Sequence, residues 1–398
     1  MLNSLIEGWT KQTTPTTLIV IRYVDNGLYK VRVGFVNRVH EWIPFNFISS
    51  NLDVVSSEMH WLSPKDEEIL FEVPELKSDD YVLFNVNQFG FYRVNYDINN
   101  WNLIIEVLNE NHNEFSDTTR AQLLDDALNL AVEGSVNYES VFNMIGYLRN
   151  ETNSLPWAAA TKNLMILNDL LANTEAQEYF RVLMQEISDN YFEVLGFSDV
   201  ENEMFEDKLS RSNAINFACS MGSEKCLNKS LEMLEAHIDG SETIAVNLQS
   251  TIFCNGLRGA VADGNNDTSL LEALWQSMQQ SDNTEYRLKI IDILGCHNNA
   301  KDLKDLLETT LATVTNEVRY LIPERFRILQ SVYSQSSIGV EVAIDFMIEH
   351  SSTVLRLFQT NDLAQTFVTS LSNKISEQNV SDKVKLILVT KTKTKLYY

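Results

Sequence analysis

The spacing of hydrophobic positions divides the chain into two parts. Up to about residue 100, short runs of β-branched and aromatic residues alternate with polar ones, a pattern typical of β-strands. Between two such runs lies Asp25-Asn26-Gly27, where the Asn-Gly pair predicts a tight hairpin because both residues tolerate a positive φ. Further strands are predicted at 41–47, 68–73, 81–86 and 91–96. Short strands at this spacing predict a small β-sandwich.

After residue 96 the hydrophobic period becomes that of a helix. In 117–134, one helical stripe carries Leu123, Leu124, Ala127, Leu128 and Ala131. Ser116 or Asp117 can cap the start of this helix, and Gly134 can end it in a left-handed conformation. Further helical windows are predicted at 158–171, 176–192, 227–237, 270–278, 286–294, 300–311, 326–333 and 340–350.

About 300 residues of helices with short turns cannot easily share one core, so stacked helix pairs are the expected solution. Proline and glycine are scarce, at 6 and 14 residues, which agrees with long helices and short connections. No strict sequence period is present, which predicts an irregular superhelix. The expected fold class is α+β and multidomain: a small N-terminal β-sandwich followed by a large HEAT/armadillo-like α-superhelix with a concave inner surface.

The charge balance excludes one class of partner. Acidic residues outnumber basic ones by 55 to 31, and the resulting net charge of −24 repels the phosphates of nucleic acids. The same field could attract a cationic partner, such as the free amino terminus of a peptide, although solubility alone explains it. No apolar run reaches the roughly 18 residues of a membrane span, so no transmembrane segment is expected.

Signals for localisation conflict. The chain as written carries neither the order of a signal peptide nor a lipid-anchor signal, so it is expected to stay in the cytosol. Four cysteines and four glycosylation sequons point to the secretory pathway instead. The candidate glycosylation sites are Asn150, Asn228, Asn266 and Asn379.

Candidate catalytic chemistry is scarce. The six histidines include no pair four residues apart, so the H-E-x-x-H zinc motif is missing, and each histidine is interpreted as a surface or interface residue. A G-x-S-x-G nucleophile motif is missing as well. Asp125 and Asp126 point about 100° apart on a helix, so they are interpreted as helix-surface residues rather than an acid–base pair. No catalytic and no metal-binding residue is assigned.

Two charged residues near the end of the β part are given structural roles. Asp97 is predicted to cap the helix around Trp101. Arg93 is framed by aromatic residues and is predicted to form an internal ion pair or a cation–π contact, with binding of a carboxylate as the alternative.

The four cysteines form two spacings. Cys219 and Cys226 are separated by six residues, and Cys254 and Cys296 lie 42 residues apart. A C-x6-C spacing fits zinc ligation poorly, so disulfides are favoured, with a zinc cluster as the alternative. In a reducing compartment all four would be buried or free thiols.

Several strings along the chain resemble one family, in that family's order. The longest is NVNQFGFYRVNYD, at 85–97, with Trp101 after it. RAQLLDDA begins at Arg120, and YLRNET at Tyr147 is followed by Pro156-Trp157. These strings are similar to the C-terminal half of zinc aminopeptidases of the aminopeptidase N family, in particular the insect type.

The resemblance implies an organisation. Residues 1–14 would be the remnant of a linker helix that follows a missing catalytic domain, 15–98 a β-sandwich and 99–398 an α-superhelix. In the family the superhelix closes over the active site and admits peptides. The family's zinc motif is missing here, so no cofactor is expected in this chain. A peptide substrate and a catalytic domain, its own or a paralogue's, are the implied partners, and the family works on the outer face of the plasma membrane or as secreted enzymes.

The resemblance also assigns residues. Cysteines at matching places in secreted members form two disulfides, which implies the pairs Cys219–Cys226 and Cys254–Cys296. Basic residues of the family bind the terminal carboxylate of a peptide, and Arg319 matches that position, with a structural arginine as the alternative. The segment 384–398 differs from the closing helices of the family.

Two functions follow as hypotheses. The chain is either the non-catalytic C-terminal region of a zinc aminopeptidase, which encloses the active site and binds peptide, or a stand-alone, catalytically silent scaffold that binds a peptide or protein. As an isolated chain it is expected to be inactive.

Overall fold

The computed structural model describes residues 10, 15–36, 42–51, 60–66, 68–73, 75–172, 174–262, 267–311, 322–358 and 369–371. It divides into two compact units, Met1–Leu164 and Met165–Tyr398. The first contains small sheets and the helices that follow them, and the second is helical. The α+β class is therefore confirmed. The β-sandwich, the superhelix and the domain bounds predicted at 14, 98 and 398 stay predictions.

Short strands form the start of the first unit. They are β1 (Thr16–Asp25), β2 (Leu28–Phe35), β3 (Ile43–Phe45), β4 (Phe47–Ser49), β5 (His60–Leu62), β6 (Glu68–Phe71), β7 (Val82–Phe84) and β8 (Tyr92–Tyr96). A four-stranded sheet has the order β6-β2-β1-β8, and β3 pairs with β5 and β4 with β7. Strand β5 lies outside the predicted ranges, and the single strand predicted at 41–47 is replaced by β3 and β4.

The predicted hairpin joins β1 to β2. Asn26 and Gly27 have φ angles of 52° and 82°, and Asp25 pairs with Leu28 across the turn. On its other side β1 pairs in parallel with β8, where Val20 lies opposite Tyr96. Strand β8 is therefore an edge strand of this sheet, and the chain passes from it directly into the first helix.

Helices fill the rest of the described chain. They are α1 (Ile98–Asn111), α2 (Asp117–Val132), α3 (Tyr138–Ile145), α4 (Ser154–Leu170), α5 (Glu175–Leu195), α6 (Phe205–Ser220), α7 (Glu224–Ile238), α8 (Gln249–Ala260), α9 (Ser269–Gln280), α10 (Thr284–Ile293), α11 (Ala300–Thr309), α12 (Ile322–Gln335), α13 (Ser337–Glu349) and α14 (Ser351–Phe358). Each predicted window falls on one of them. None of the described helices combines the length and apolar character needed to cross a bilayer.

Local capping determines where several helices begin. The Asp97 carboxylate accepts the N–H of Asn100 at 3.0 Å at the start of α1. The Ser116 hydroxyl accepts the N–H of Thr119 at 3.2 Å at the start of α2. Just beyond the end of α2, Gly134 has a φ of 78°. These three predictions are confirmed.

The second unit has one large apolar core, in which α7 and α8 pack very closely. The core includes Ile215, Leu234, Phe253 and Leu294, all fully buried. A Cβ atom on Gly256 would lie 2.8 Å from Leu234 Cβ and 2.9 Å from the carbonyl oxygen of Ser230. Glycine at this position lets the two helix backbones approach closely.

Substitution of this glycine should therefore destabilise the second unit. We expect Gly256→Ala to lower the free energy of unfolding by about 1–3 kcal/mol, because the backbone of α7 cannot move away cheaply. Chemical denaturation measures the loss. Gly146→Ala is the matched control, since its nearest neighbour would lie at 3.4 Å. Equal stability of the two variants would contradict the close approach.

Candidate functional site

The four cysteines lie in the core of the second unit as two disulfides. Cys219 is joined to Cys226, and Cys254 to Cys296. All four residues are buried. Because a sulfur in a disulfide is not a thiolate, these residues are not available for the zinc cluster that was the alternative interpretation.

The other candidate site residues are distributed over the chain. Arg319, Asn266 and Asn379 lie outside the described residues. Asn150 is exposed at the end of a short 3-10 helix. Asn228 is exposed on α7, but Ser230 of the same sequon is fully buried. The two described sequons therefore differ in the accessibility of their third residue, and glycosylation stays a prediction at all four sites.

The string at 85–97 forms a loop that is held by a buried amide. Asn85 is fully buried and has a φ of 58°. Its side-chain nitrogen donates to the carbonyl oxygens of Gly90 and Tyr92 at 3.0 Å each, and its side-chain oxygen accepts the N–H of Gly90 at 2.7 Å. One side chain thereby supplies the hydrogen bonds of a turn that has no regular ladder.

The same loop is bound to helix α2. The N–H of Asn87 donates to Thr119 Oγ1 at 3.1 Å, and the N–H of Gln88 donates to Gln122 Oε1 at 3.2 Å. Asn87 and Gln88 both have positive φ angles, of 59° and 52°. Non-glycine residues in this region carry strain, which the contacts with α2 must offset.

Asp126 is the most perturbed carboxyl group of the first unit. It is 3% exposed, and its Oδ2 atom accepts the N–H of Val94 in strand β8 at 3.0 Å. Burial raises its pKa to about 8, although the hydrogen bond from Val94 opposes the shift. The interpretation of Asp126 as a helix-surface residue was wrong, because the edge strand packs against this face of α2.

Asp125 has different neighbours. Its Oδ1 atom accepts hydrogen bonds from the side-chain amides of Asn163 at 3.0 Å and Asn129 at 3.1 Å. The two adjacent carboxyl groups therefore bind separate partners, as expected for neighbouring positions on a helix. They do not share a proton or a ligand.

A buried ion pair connects two other strings of the resemblance. Arg120 Nε and Nη2 donate to the two carboxylate oxygens of Glu151 at 2.6 and 3.1 Å, and Nη1 donates to the carbonyl oxygen of Phe115 at 2.6 Å. The indole N–H of Trp157 donates to the carbonyl oxygen of Glu151 at 2.8 Å. Arg93 forms its predicted ion pair with Glu133 at 3.1 Å, and this pair is less buried because the Glu133 side chain is half exposed.

Among the described histidines, His297 differs from the sequence interpretation. His297 is fully buried, and its Nε2 atom lies 3.0 Å from Asp302 Oδ2. It was interpreted as a surface or interface residue, which is wrong. It follows Cys296, whose disulfide fixes this turn inside the core.

One group among the described residues has the composition of a metal site. Ligand atoms of Glu308, Glu349 and His350 lie within 4.8 Å of one another. However, His350 Nε2 already lies 3.0 Å from Glu308, and the Lys304 ammonium lies 2.9 Å from Glu349. A cation at this position would have to displace an ammonium group. The group therefore does not fit a zinc site with two histidines on one helical turn.

Comparison with known proteins shows the family. The model of the ERAP1-like C-terminal domain matches residues 81–397. The chain belongs to this family. The match includes 384–397, which was interpreted as differing from the closing helices of the family. The predicted resemblance to a C-terminal part of an aminopeptidase N-like enzyme is confirmed.

Curated relatives match over a limited part of their own length. The chain is 29% identical over 348 residues to aminopeptidase N of Plutella xylostella, which covers 84% of this chain and 36% of that protein. It is 28% identical over 297 residues to the thyrotropin-releasing hormone-degrading ectoenzyme of Rattus norvegicus, with coverages of 72% and 27%. Aminopeptidase N of Bos taurus is 33% identical over 271 residues, with coverages of 66% and 27%. The chain therefore spans about a third of the length of such relatives or less.

Neutralising Asp126 should stabilise the protein at high pH. Between about pH 4 and pH 8 the folded state keeps a proton that the unfolded state releases, so the contribution of Asp126 to stability falls as pH rises. We expect Asp126→Asn to raise the free energy of unfolding at pH 8 by on the order of 1–3 kcal/mol, and to lose this advantage near pH 4. Urea denaturation at several pH values measures the difference, with Asp125→Asn as the control. A pH-independent effect would contradict the buried, protonated carboxyl group.

Breaking the buried pair of Arg120 with Glu151 should lower the free energy of unfolding more than breaking the less buried pair of Arg93 with Glu133. We expect Arg120→Met to lower the free energy of unfolding by about 3–5 kcal/mol, because Glu151 stays buried without its partner. Arg93→Met, the control, should cost about 1 kcal/mol or less, because Glu133 is half exposed and stays solvated without its partner. The double variant Arg120→Met, Glu151→Leu should recover part of the loss. An equal loss of unfolding free energy in the two single variants would show that the buried pair stabilises the protein no more than the pair of Arg93 with Glu133.

Proposed function

We propose that this chain acts as the non-catalytic C-terminal region of a zinc aminopeptidase, where it encloses the active site and binds the peptide. The reaction of the whole enzyme would be removal of N-terminal residues from peptides. The catalytic domain would be supplied by another part of the same protein or by a paralogue. The superhelix at 99–398, with its concave face, belongs to this proposal.

One observation carries the proposal. The polar residues that are most typical of the family strings form hydrogen bonds within the fold. Asn85, Arg120, Asp126 and Glu151 are each at most 5% exposed and each is hydrogen-bonded to protein atoms. Side chains that are hydrogen-bonded within the fold in this way are not available to bind substrate or metal. The residues that carry the family resemblance here therefore support the fold and do not react.

The relatives support the biochemical context. Three of them are named as aminopeptidase N or as an ectoenzyme that degrades thyrotropin-releasing hormone. The two disulfides agree with an oxidising compartment. We therefore place the working site of this chain outside the cytosol, in an enzyme whose substrates are peptides. Arg319 stays the candidate for binding a peptide carboxylate.

Metal content, hydrolysis and peptide binding of the purified 398-residue chain test the proposal. After dialysis we expect substoichiometric zinc and no hydrolysis of aminoacyl-nitroanilides, because the histidines form no zinc motif. A fluorescently labelled peptide should nevertheless bind, as measured by anisotropy, and Arg319→Gln should weaken this binding.

Different outcomes would remove different parts of the proposal. Stoichiometric zinc together with hydrolysis would show a catalytic protein. Loss of that zinc in His350→Ala would assign it to the group with Glu308 and Glu349. If no peptide binds even at high protein concentration, the chain does not bind substrate, and enclosure of the active site is the role that remains.

A further inference from the structure

Among the described residues, the side chains that hold Arg258 are neutral. It lies in the last turn of α8 and is half-buried. Its Nη1 atom donates to Asn255 Oδ1 at 2.7 Å and to Ser220 Oγ at 3.3 Å, and Nη2 donates to Gln335 Oε1 at 3.1 Å. These oxygens fix the direction of the guanidinium group but do not neutralise its charge.

A second guanidinium group lies close enough to Arg258 for its charge to act on it. Arg181 on α5 donates from Nε to Asn168 Oδ1 at 3.0 Å, and its other N–H groups have no acceptor in the part of the chain that the structure describes. One turn further along α5, Gln185 donates to the carbonyl oxygen of Met221 at 2.6 Å. This face of α5 therefore packs on the end of α6, where Ser220 also accepts the hydrogen bond from Arg258.

The two positive charges affect each other. Burial, together with the charge of Arg181, lowers the pKa of Arg258 to about 10. Burial lowers the pKa of Arg181 as well. Like charges that are partly removed from water repel each other more strongly than on an open surface. Both groups nevertheless stay charged at neutral pH.

The protein neutralises the positive charges of Arg181 and Arg258 only in part. Among the described residues, no carboxylate lies within ion-pairing distance of Arg181 or Arg258, and Asp169 acts on them only from further away. Helices α6 and α12 end at Ser220 and Gln335, and each helix end contributes a partial negative charge of about half a unit at most. Arg120, Arg211 and Arg287, by contrast, each contact a carboxylate directly.

We propose that Arg181 and Arg258 form a binding site for a small monovalent anion, such as chloride or acetate. One negative charge would lie between two guanidinium groups, and the vacant N–H groups of Arg181 would donate to it. The net charge of −24 repels anions in general, so binding would depend on this local pair. The inference uses other residues than the proposed function and does not depend on it.

The line width of ³⁵Cl in nuclear magnetic resonance tests the site directly. We expect the full chain to broaden the chloride signal and acetate to reverse the broadening by competition. Arg181→Gln is the principal variant because Arg181 is half-buried and has one hydrogen bond. It should weaken chloride binding by roughly tenfold or more, since hydrogen bonds to a charged group are strong. Arg258→Lys keeps the charge and should bind chloride more weakly but measurably.

Controls separate a specific site from general charge effects. Arg327→Gln removes an exposed arginine that is paired with Asp292 at 2.9 Å, and it should leave the broadening unchanged. No broadening by the folded chain, or equal broadening by Arg181→Gln, would overturn the proposal.

Discussion

Backbone groups at the edge of a sheet must find hydrogen-bond partners when water is excluded, and this constraint governs the first unit. Strand β8 is an edge strand, paired on one side with β1. On its free side, the N–H of Val94 is accepted by Asp126 of α2. Before the strand, Asn85 satisfies the turn, and after it Asp97 caps α1. Sheet and helices are therefore joined by polar side chains as much as by apolar packing.

The same constraint explains why the longest family string has its particular residues. A helix cap needs a short acceptor, a left-handed turn position favours asparagine, and a buried strand edge needs an acceptor from another element. Replacing any of these groups leaves a buried donor without a partner. A long recognisable sequence can thus arise from the demands of folding. Its presence identifies the family without identifying a reacting group.

Local features of the fold could be predicted from the sequence, and distant ones could not. The Asn26-Gly27 hairpin and the cap at Asp97 depend on residues that are neighbours in the chain. The ion pair of Arg120 with Glu151 joins residues that are 31 positions apart. Its formation depends on how three elements pack, and nothing in the sequence around either residue predicts the other as its partner. Asp126 was misread because a period in the sequence shows a helix face but not what covers it. His297 lies in a turn, and its sequence does not show that the turn is held inside the core.

The disulfide between Cys254 and Cys296 lies one helical turn before Arg258 on α8. Cys254 Sγ is also 3.9 Å from Gln335 Oε1, the oxygen that accepts a hydrogen bond from Arg258. The covalent bridge thus ties α8, one turn before Arg258, to the turn at Cys296. In a reducing compartment the bridge would be lost, and α8 would be held at this point by packing and hydrogen bonds alone. The anchoring of the helix that carries this positive charge would then depend on the redox state of the surroundings.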